Sequence, residues 1–134
     1  MTLFVDTCVW SLAFRRDAPP DTPEVSALTR ALGDGGNVVA TGLVLQELLQ
    51  GFSGPRSRDE IVERFGALPL IVPDRQDHIE AAELRNLCRR AGVQIGTIDA
   101  LIARLCIGND LTLLTADKDF TRVATLSRLR VWKA

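Results

Sequence analysis

Four acidic side chains interrupt or end apolar segments of this 134-residue chain. Asp6 ends an apolar run near the start, and Asp117 closely follows another; Asp99 opens an almost uncharged segment, and Glu47 interrupts a leucine-rich one. An ionised carboxylate is expensive to bury without a partner, so four such cases suggest one shared partner. A hard divalent cation such as Mg²⁺ or Mn²⁺ suits several carboxylates at once.

Each acid taken alone also has an ordinary structural explanation. Asp6 could cap a following helix, and Glu47 falls at the edge of an apolar helical stripe, where it could reach water. Asp99 could be an acid in a first helical turn, which the helix dipole favours by about 0.3–1 kcal/mol, but its apolar neighbours favour a ligand. Asp117 and Asp119 bracket one residue and could form a turn with a helix cap. For Asp117 and Asp119, it is the pairing with Asp6 at another strand end that raises the odds of a shared site.

The elements that must position these acids alternate between short apolar strands and helices. Strands are predicted at 2–6, 37–40, 68–72 and 111–115, with 129–132 as a further candidate; helices are predicted at 8–15, 22–33, 42–50, 57–66, 74–90, 97–107 and 118–123. This alternation predicts a parallel sheet covered on both faces. In such sheets the functional crevice lies beyond the carboxyl ends of the strands, where Asp6 and Asp117 are expected.

Length and composition indicate one ordinary globular domain over residues 1–134. The chain is 46% hydrophobic and 25% charged, and it has no apolar stretch of the roughly 18 residues that a membrane span needs. We expect no signal peptide, because the start lacks a basic region and a long apolar one. The three cysteines, Cys8, Cys88 and Cys106, show no metal-binding spacing. We interpret them as reduced core residues of a cytoplasmic protein.

The net charge of −1 does not by itself indicate nucleic-acid binding. Fourteen of the sixteen basic residues are arginines, which bind phosphate well through two parallel hydrogen bonds. Small basic clusters occur at Arg15–Arg16, Arg56 with Arg58, Arg89–Arg90, and Arg128 with Arg130. Solvated helix faces explain such pairs at least as well as phosphate contacts do.

Other common site chemistries lack their residues. The only histidine, His78, is predicted to lie on the surface, and nothing around it resembles a nucleophile motif. The chain has neither a glycine-rich phosphate loop nor a zinc pattern. A phosphatase with a nucleophilic Asp-x-Asp is not supported, because Asp6-Thr7-Cys8 lacks the second acid.

The acids and their flanking residues resemble the PIN-domain ribonucleases, and among these the VapC toxins of bacterial toxin–antitoxin pairs. Each motif alone is weakly specific, but all four in order, over nearly the whole chain, are strongly so. The matching segments are Phe4-Val5-Asp6-Thr7, Leu45-Gln46-Glu47-Leu48, Ile98-Asp99-Ala100-Leu101-Ile102-Ala103 and Leu114-Thr115-Ala116-Asp117-Lys118-Asp119-Phe120.

The resemblance implies a three-layer α/β/α sandwich with a central, mostly parallel sheet, and an acidic pocket that binds Mg²⁺ or Mn²⁺. It implies catalytic roles for Asp6, Glu47, Asp99 and Asp117. Metal binding would fall to Asp6, Asp99 and Asp117, with Asp119 in support, and Glu47 would orient or deprotonate the attacking water.

Two neighbouring positions bear on that site. Thr115 fits the family's hydroxyl position before the last acid. Cys8 departs from the family, which commonly has Ser or Asn there, and this weakens the expectation of a supporting hydrogen bond at that position.

The resemblance further implies a metal-dependent endoribonuclease that acts as the toxin of a type II toxin–antitoxin system. Its partners would be RNA, a cognate antitoxin protein and a second copy of itself, in the cytoplasm and without a membrane. Two alternatives stay open. One is a catalytically silent PIN-like module that only binds a partner, and the other is a metal-dependent nuclease of DNA or of RNA processing.

Overall fold

The computed structural model describes residues 1–15, 21–52 and 54–134, which contain a five-stranded sheet. All of its strand pairs are parallel, and the strand order is β3-β2-β1-β4-β5. The strands are β1 (Leu3–Val5), β2 (Val38–Thr41), β3 (Leu70–Ile71), β4 (Thr112–Leu114) and β5 (Arg130–Val131). The order changes direction at β1, so a crevice is expected beside its carboxyl end.

Seven helices connect and flank these strands in the described part of the chain. They are α1 (Thr7–Ala13), α2 (Pro23–Gly33), α3 (Gly42–Gly51), α4 (Pro55–Gly66), α5 (Arg75–Arg90), α6 (Thr97–Gly108) and α7 (Asp119–Leu126). With the parallel sheet, they confirm the predicted α/β/α fold class. The assignment of residues 1–134 to a single domain stays a prediction.

The central strand β1 is buried along its whole length. Phe4 and Val5 have no exposed surface, and Leu3 is almost fully covered. A strand with helices over both faces needs apolar residues at every position rather than at alternate ones. Burying side chains of this kind stabilises a fold by roughly 1.5–3 kcal/mol each, so β1 holds its carboxyl end firmly in place.

The helix starts follow from local sequence in most cases. Thr22 caps α2 by accepting a hydrogen bond from the Val25 amide. Asp74 caps α5 in a reciprocal capping box with Asp77. Thr97 is the first residue of α6 rather than its cap, and the cap is Gly96, which has no side chain to donate or accept.

Several element boundaries differ from the predicted ones. Helix α4 begins at Pro55, which was expected in a turn, because proline suits the first helical position. Helix α7 continues to Leu126, beyond the predicted end at 123. The predicted loop at 17–21 falls mostly outside the described residues, as do Arg16 and Ser53. None of the described helices has the length and apolar character that crossing a membrane requires.

Candidate functional site

Asp6 lies at the end of β1, and its two carboxylate oxygens have separate partners. Oδ1 accepts a hydrogen bond from the Thr7 amide at 2.8 Å, so Asp6 is the N-cap of α1. Oδ2 accepts one from the Thr115 hydroxyl at 2.8 Å. Asp6 is therefore both the helix cap and a contact to the end of β4, and it is only 8% exposed.

The loop after β4 presents two further acids. The buried Thr115 hydroxyl accepts a hydrogen bond from the Asp117 amide at 3.0 Å while it donates to Asp6. Asp117 Oδ1 in turn accepts from the Asp119 amide at 2.9 Å, at the start of α7. These bonds order the loop next to Asp6 and leave the side chains of Asp117 and Asp119 exposed.

Glu47 reaches the same region from α3. It is exposed, as expected for the edge of an apolar stripe, and its Oε1 accepts a hydrogen bond from the Thr7 hydroxyl at 2.9 Å. The Thr7 hydroxyl does not cap α1, because Asp6 does so, as its position before a helix suggested. Thr7 instead donates a hydrogen bond to Glu47. In the sequence, the only indication of this contact is that Thr7 lies next to Asp6.

Asp99 is the acid on which the negative charges of the other four act. It lies in the first turn of α6 and is half-buried above the buried Ala103 and Cys106. Burial, followed by the charges of Asp6, Asp117, Glu47 and Asp119, raises the pKa of Asp99 from 3.8 to about 6. All five acids therefore share one electrostatic environment, and we call them the acidic cluster.

No internal cation neutralises the acidic cluster within the described residues. None of its five carboxylates forms an ion pair with a described arginine or lysine. Arg104, the only basic residue of α6, points away from the cluster and binds Asp77 and Glu80 of α5. The five carboxylates therefore have no cationic partner among the described residues.

The donor set of the acidic cluster fits a hard divalent cation. The groups are carboxylate oxygens supported by the Thr115 hydroxyl, which are ligands that Mg²⁺ and Mn²⁺ prefer. As they stand, however, no three His, Cys, Asp or Glu side chains in residues 1–15, 21–52 and 54–134 form a group able to hold a metal ion. The chemistry of the donor groups therefore supports a metal, whereas their present arrangement is not a complete coordination sphere.

Cys8 is a free cysteine packed against the core, as predicted, but its sulfur also has polar neighbours. Its sulfur is 3.5 Å from Asp6 Oδ2 and 3.7 Å from Thr115 Oγ1, and it accepts a hydrogen bond from the Ala116 amide at 3.4 Å. Burial and the neighbouring Asp6 charge raise the pKa of the Cys8 thiol, so it stays protonated. A supporting contact was in doubt here because the chain has cysteine where the family commonly has Ser or Asn. The thiol lies within contact distance of the Asp6 carboxylate all the same.

The remaining candidates do not join the acidic cluster. Cys88 and Cys106 are buried free cysteines, as predicted. His78 is exposed, also as predicted. Arg56 pairs with Glu60 on α4, and Arg58 with Asp59, both on the surface. Their predicted phosphate contacts stay predictions.

Solved structures with the same fold come from bacterial toxin–antitoxin pairs. VapBC2 from Rickettsia felis, bound to promoter DNA, matches at 23% identity and a TM-score of 0.77 over 98% of both chains. DNA-bound VapBC from Salmonella typhimurium matches at 20% identity and 0.73, over 98% of this chain and 97% of that one. Mycobacterium tuberculosis VapC20, a Sarcin-Ricin loop cleaving toxin, matches at 18% and 0.67, over 96% and 99%.

These identities are low, so the structural likeness establishes the fold alone. The comparison with curated proteins finds no match. A family model, the PIN domain, matches residues 3–126, which is most of the chain. The chain belongs to the PIN domain family.

Proposed function

We propose that the protein is a Mg²⁺- or Mn²⁺-dependent endoribonuclease and the toxin of a type II toxin–antitoxin pair. Membership of the PIN family supports nuclease chemistry. The similarity to VapBC chains, and to a toxin that cleaves the Sarcin-Ricin loop, supports RNA as the substrate. The four acids of the sequence motifs all belong to the acidic cluster.

One observation carries the proposal. The pKa of Asp99 is raised to about 6 by burial and by four other carboxylates, and no described basic side chain relieves that repulsion. A fold gains nothing in stability from such an arrangement, since like charges brought together disfavour ionisation. Perturbed acids of this kind are typical of functional sites, and a divalent cation turns the repulsion into binding energy.

Each residue has a role in the proposed mechanism. Asp6, Asp99 and Asp117 would hold the metal, with Asp119 in support. When bound, the metal would polarise the scissile phosphate and favour ionisation of the attacking water. Glu47, held by the Thr7 hydroxyl, would orient that water or accept its proton. The Thr115 hydroxyl and the Cys8 thiol would keep Asp6 oriented.

The decisive test compares two aspartates that occupy equivalent helical positions. Asp99→Asn removes a charge from the first turn of α6, and Asp77→Asn removes one from the first turn of α5. We expect Asp99→Asn to reduce Mn²⁺-dependent cleavage of total cellular RNA by at least about a hundredfold, with an unchanged circular dichroism spectrum. Asp77→Asn should cleave like the wild type per folded molecule, and equal loss in both variants would refute the role of Asp99.

A partner-binding module without catalysis is the alternative that one observation favours. The described acidic, histidine and cysteine side chains do not form a group ready to hold a metal. A silent module would cleave neither RNA nor DNA with Mn²⁺ present, and cleavage of DNA alone would indicate the other nuclease alternative. The same assay, with new RNA ends mapped by sequencing, therefore separates all three.

The partners belong to the proposal as well. A cognate antitoxin, a homodimer and a cytoplasmic location are expected of a toxin of this type. Co-purification with the product of an adjacent reading frame tests the first, and sedimentation of the purified chain tests the second. Fractionation of cells tests the third.

A further inference from the structure

Both lysines of the chain line one cavity, which opens beside the acidic cluster. The cavity measures about 840 Å³ and extends from Thr115 and Asp117, after β4, to Arg130 and Lys133 around β5. Lys118, next to Asp117, lies on the side formed by α7. We call this cavity the lysine groove; because it shares Thr115 and Asp117 with the site, anything bound there would continue directly into the acidic cluster.

The charges of the lysine groove differ from those of the other basic surfaces. Lys118 and Lys133 are exposed, and neither pairs with an acid in the described part of the chain. Arg130 adds a third cation, although it also binds Asp110 at 2.7 Å. By contrast, Arg56 and Arg58 on α4 both have acidic partners. Two acids, Glu24 and Asp117, also line the groove, so its three cations outnumber its acids and its two lysines are unpaired where a polyanion could approach the negative cluster.

An aromatic side chain lies in the same groove. Trp132 follows β5, lines the cavity and is half-buried, with part of its surface packed against the core. Grooves that bind single-stranded nucleic acid combine backbone-tracking cations with aromatic rings on which bases stack. An acidic protein segment would use the lysines but would gain little from the ring, so the combination favours nucleic acid.

We propose that the lysine groove binds the single-stranded RNA that flanks the scissile phosphate. Lys118 and Lys133 contact backbone phosphates, and Trp132 stacks on a base. The proposal rests on the proposed function for the identity of the polyanion. It assigns the RNA track chiefly to two lysines, with Arg130 the one member of the arginine clusters that lines the groove.

The test measures RNA binding without cleavage. In the Asp99→Asn background, at a fixed Mg²⁺ concentration, fluorescence anisotropy follows a labelled oligouridine of about 12 nucleotides over a range of KCl concentrations. Adding Lys118→Gln and Lys133→Gln should weaken binding on the order of tenfold at low salt. Two lost phosphate contacts should also lower the slope of log Kd against log salt by about 1.4, since each contact to a single strand contributes about 0.7.

A matched control removes one charge from the same helix but outside the groove. Arg122 lies on α7, is exposed and does not line the cavity. Arg122→Gln should leave the salt slope unchanged. If the lysine variant and Arg122→Gln give the wild-type slope alike, the proposal is wrong. It is also wrong if the lysine substitutions weaken only the binding of an oligoglutamate peptide, which would make the groove a protein-binding site.

Tryptophan fluorescence provides an independent readout. The chain has two tryptophans, and Trp10 is only 1% exposed, so quenching by oligouridine should report Trp132. Trp132→Leu should abolish the quenching, and persistent quenching in that variant would contradict the stacking. A wild-type protein that binds oligouridine through the lysines but cleaves no RNA would refute the proposed function and leave the groove assignment standing.

Discussion

Two groups of carboxylates on the same helix differ in where their balancing charge comes from. At one end of α6, Asp99 belongs to the acidic cluster, which has no cationic partner among the described residues. Farther along α6, Arg104 binds Glu80 of α5 at 2.7 Å and approaches Asp77 at 3.6 Å. We call these three residues the Arg104 cluster. Asp99 and Arg104 are five positions apart along the helix, about 140° of rotation, and therefore point to different sides.

The two groups differ in whether a cation inside the protein neutralises their carboxylates. In the Arg104 cluster, one guanidinium neutralises two half-buried carboxylates and ties α5 to α6. In the acidic cluster the carboxylates repel one another, and that repulsion costs stability unless a cation is bound. A burial pattern alone would not separate the two groups, because both contain half-buried aspartates. The presence of an internal partner separates them.

The largest expected effect is stabilisation by metal. Mn²⁺ at a hundred times its Kd should raise the free energy of unfolding of the wild type by about 2.7 kcal/mol, because it binds only the folded state. Thermal unfolding with and without Mn²⁺ measures this gain. Asp99→Asn should lose most of it, whereas Asp77→Asn, in the Arg104 cluster, should keep it. A Mn²⁺ response that both variants retain would place the metal elsewhere.

The second-largest effect is expected from removing the guanidinium of the Arg104 cluster. Arg104→Met should lower the free energy of unfolding by about 2 kcal/mol, since it leaves Asp77 and Glu80 unpaired; full burial would make the cost about 3–5 kcal/mol. Urea denaturation measures it. The Mn²⁺-induced gain should be unchanged in this variant. A variant as stable as the wild type would show that the two clusters do not differ in structural role.

The smallest expected effect is a pH-dependent change in stability, measured in the absence of metal. The folded-state pKa of Asp99 is about 6, above the ordinary 3.8, so folded protein binds this proton more tightly and loses stability as pH rises from about 4 to 6. Asp99→Asn removes that loss. In EDTA above pH 6, the variant should be more stable by about 1 kcal/mol, a value reduced because solvent screens a half-exposed group.

Two controls accompany the pH measurement. Below about pH 4 the Asn variant and the wild type should unfold alike, because Asp99 is then neutral in both states. For Asp59→Asn, on the exposed surface of α4, the difference in stability from the wild type should not change with pH in this way. An Asn variant that is less stable than the wild type at pH 8 would mean that the Asp99 charge is favourably paired.

The sequence predicted the acids of the cluster because their anomaly is local. Asp6 and Asp99 follow or open apolar segments, and the cost of burying a charge there can be recognised without coordinates. The family resemblance supplied the order of the motifs. The fold class was predictable for a similar reason, since short apolar strands that alternate with helices leave few arrangements.

Contacts between distant segments could not be predicted in the same way. The Thr7–Glu47 hydrogen bond joins residues 40 positions apart, and Cys8 meets Thr115 across 107 positions. Such contacts depend on the register of β1 against β4 and on where α3 packs. The helix caps differ in how far the sequence predicts them. Thr22 and Asp74 are predictable from adjacent residues, whereas Gly96 has no side chain that would indicate a cap.

The amino-acid sequence by itself determined which groups carry charge next to apolar segments, and that the central strands β1 and β4 must be buried on both faces. Folding decided which charges are neutralised. Arg104 reaches α5 because α6 packs against it, and Lys118 and Lys133 line one cavity because β5 pairs with β4. Electrostatic interactions depend on distance and burial rather than on separation along the chain, so only the tertiary structure distinguishes an acid with a cationic partner from one that has none among the described residues.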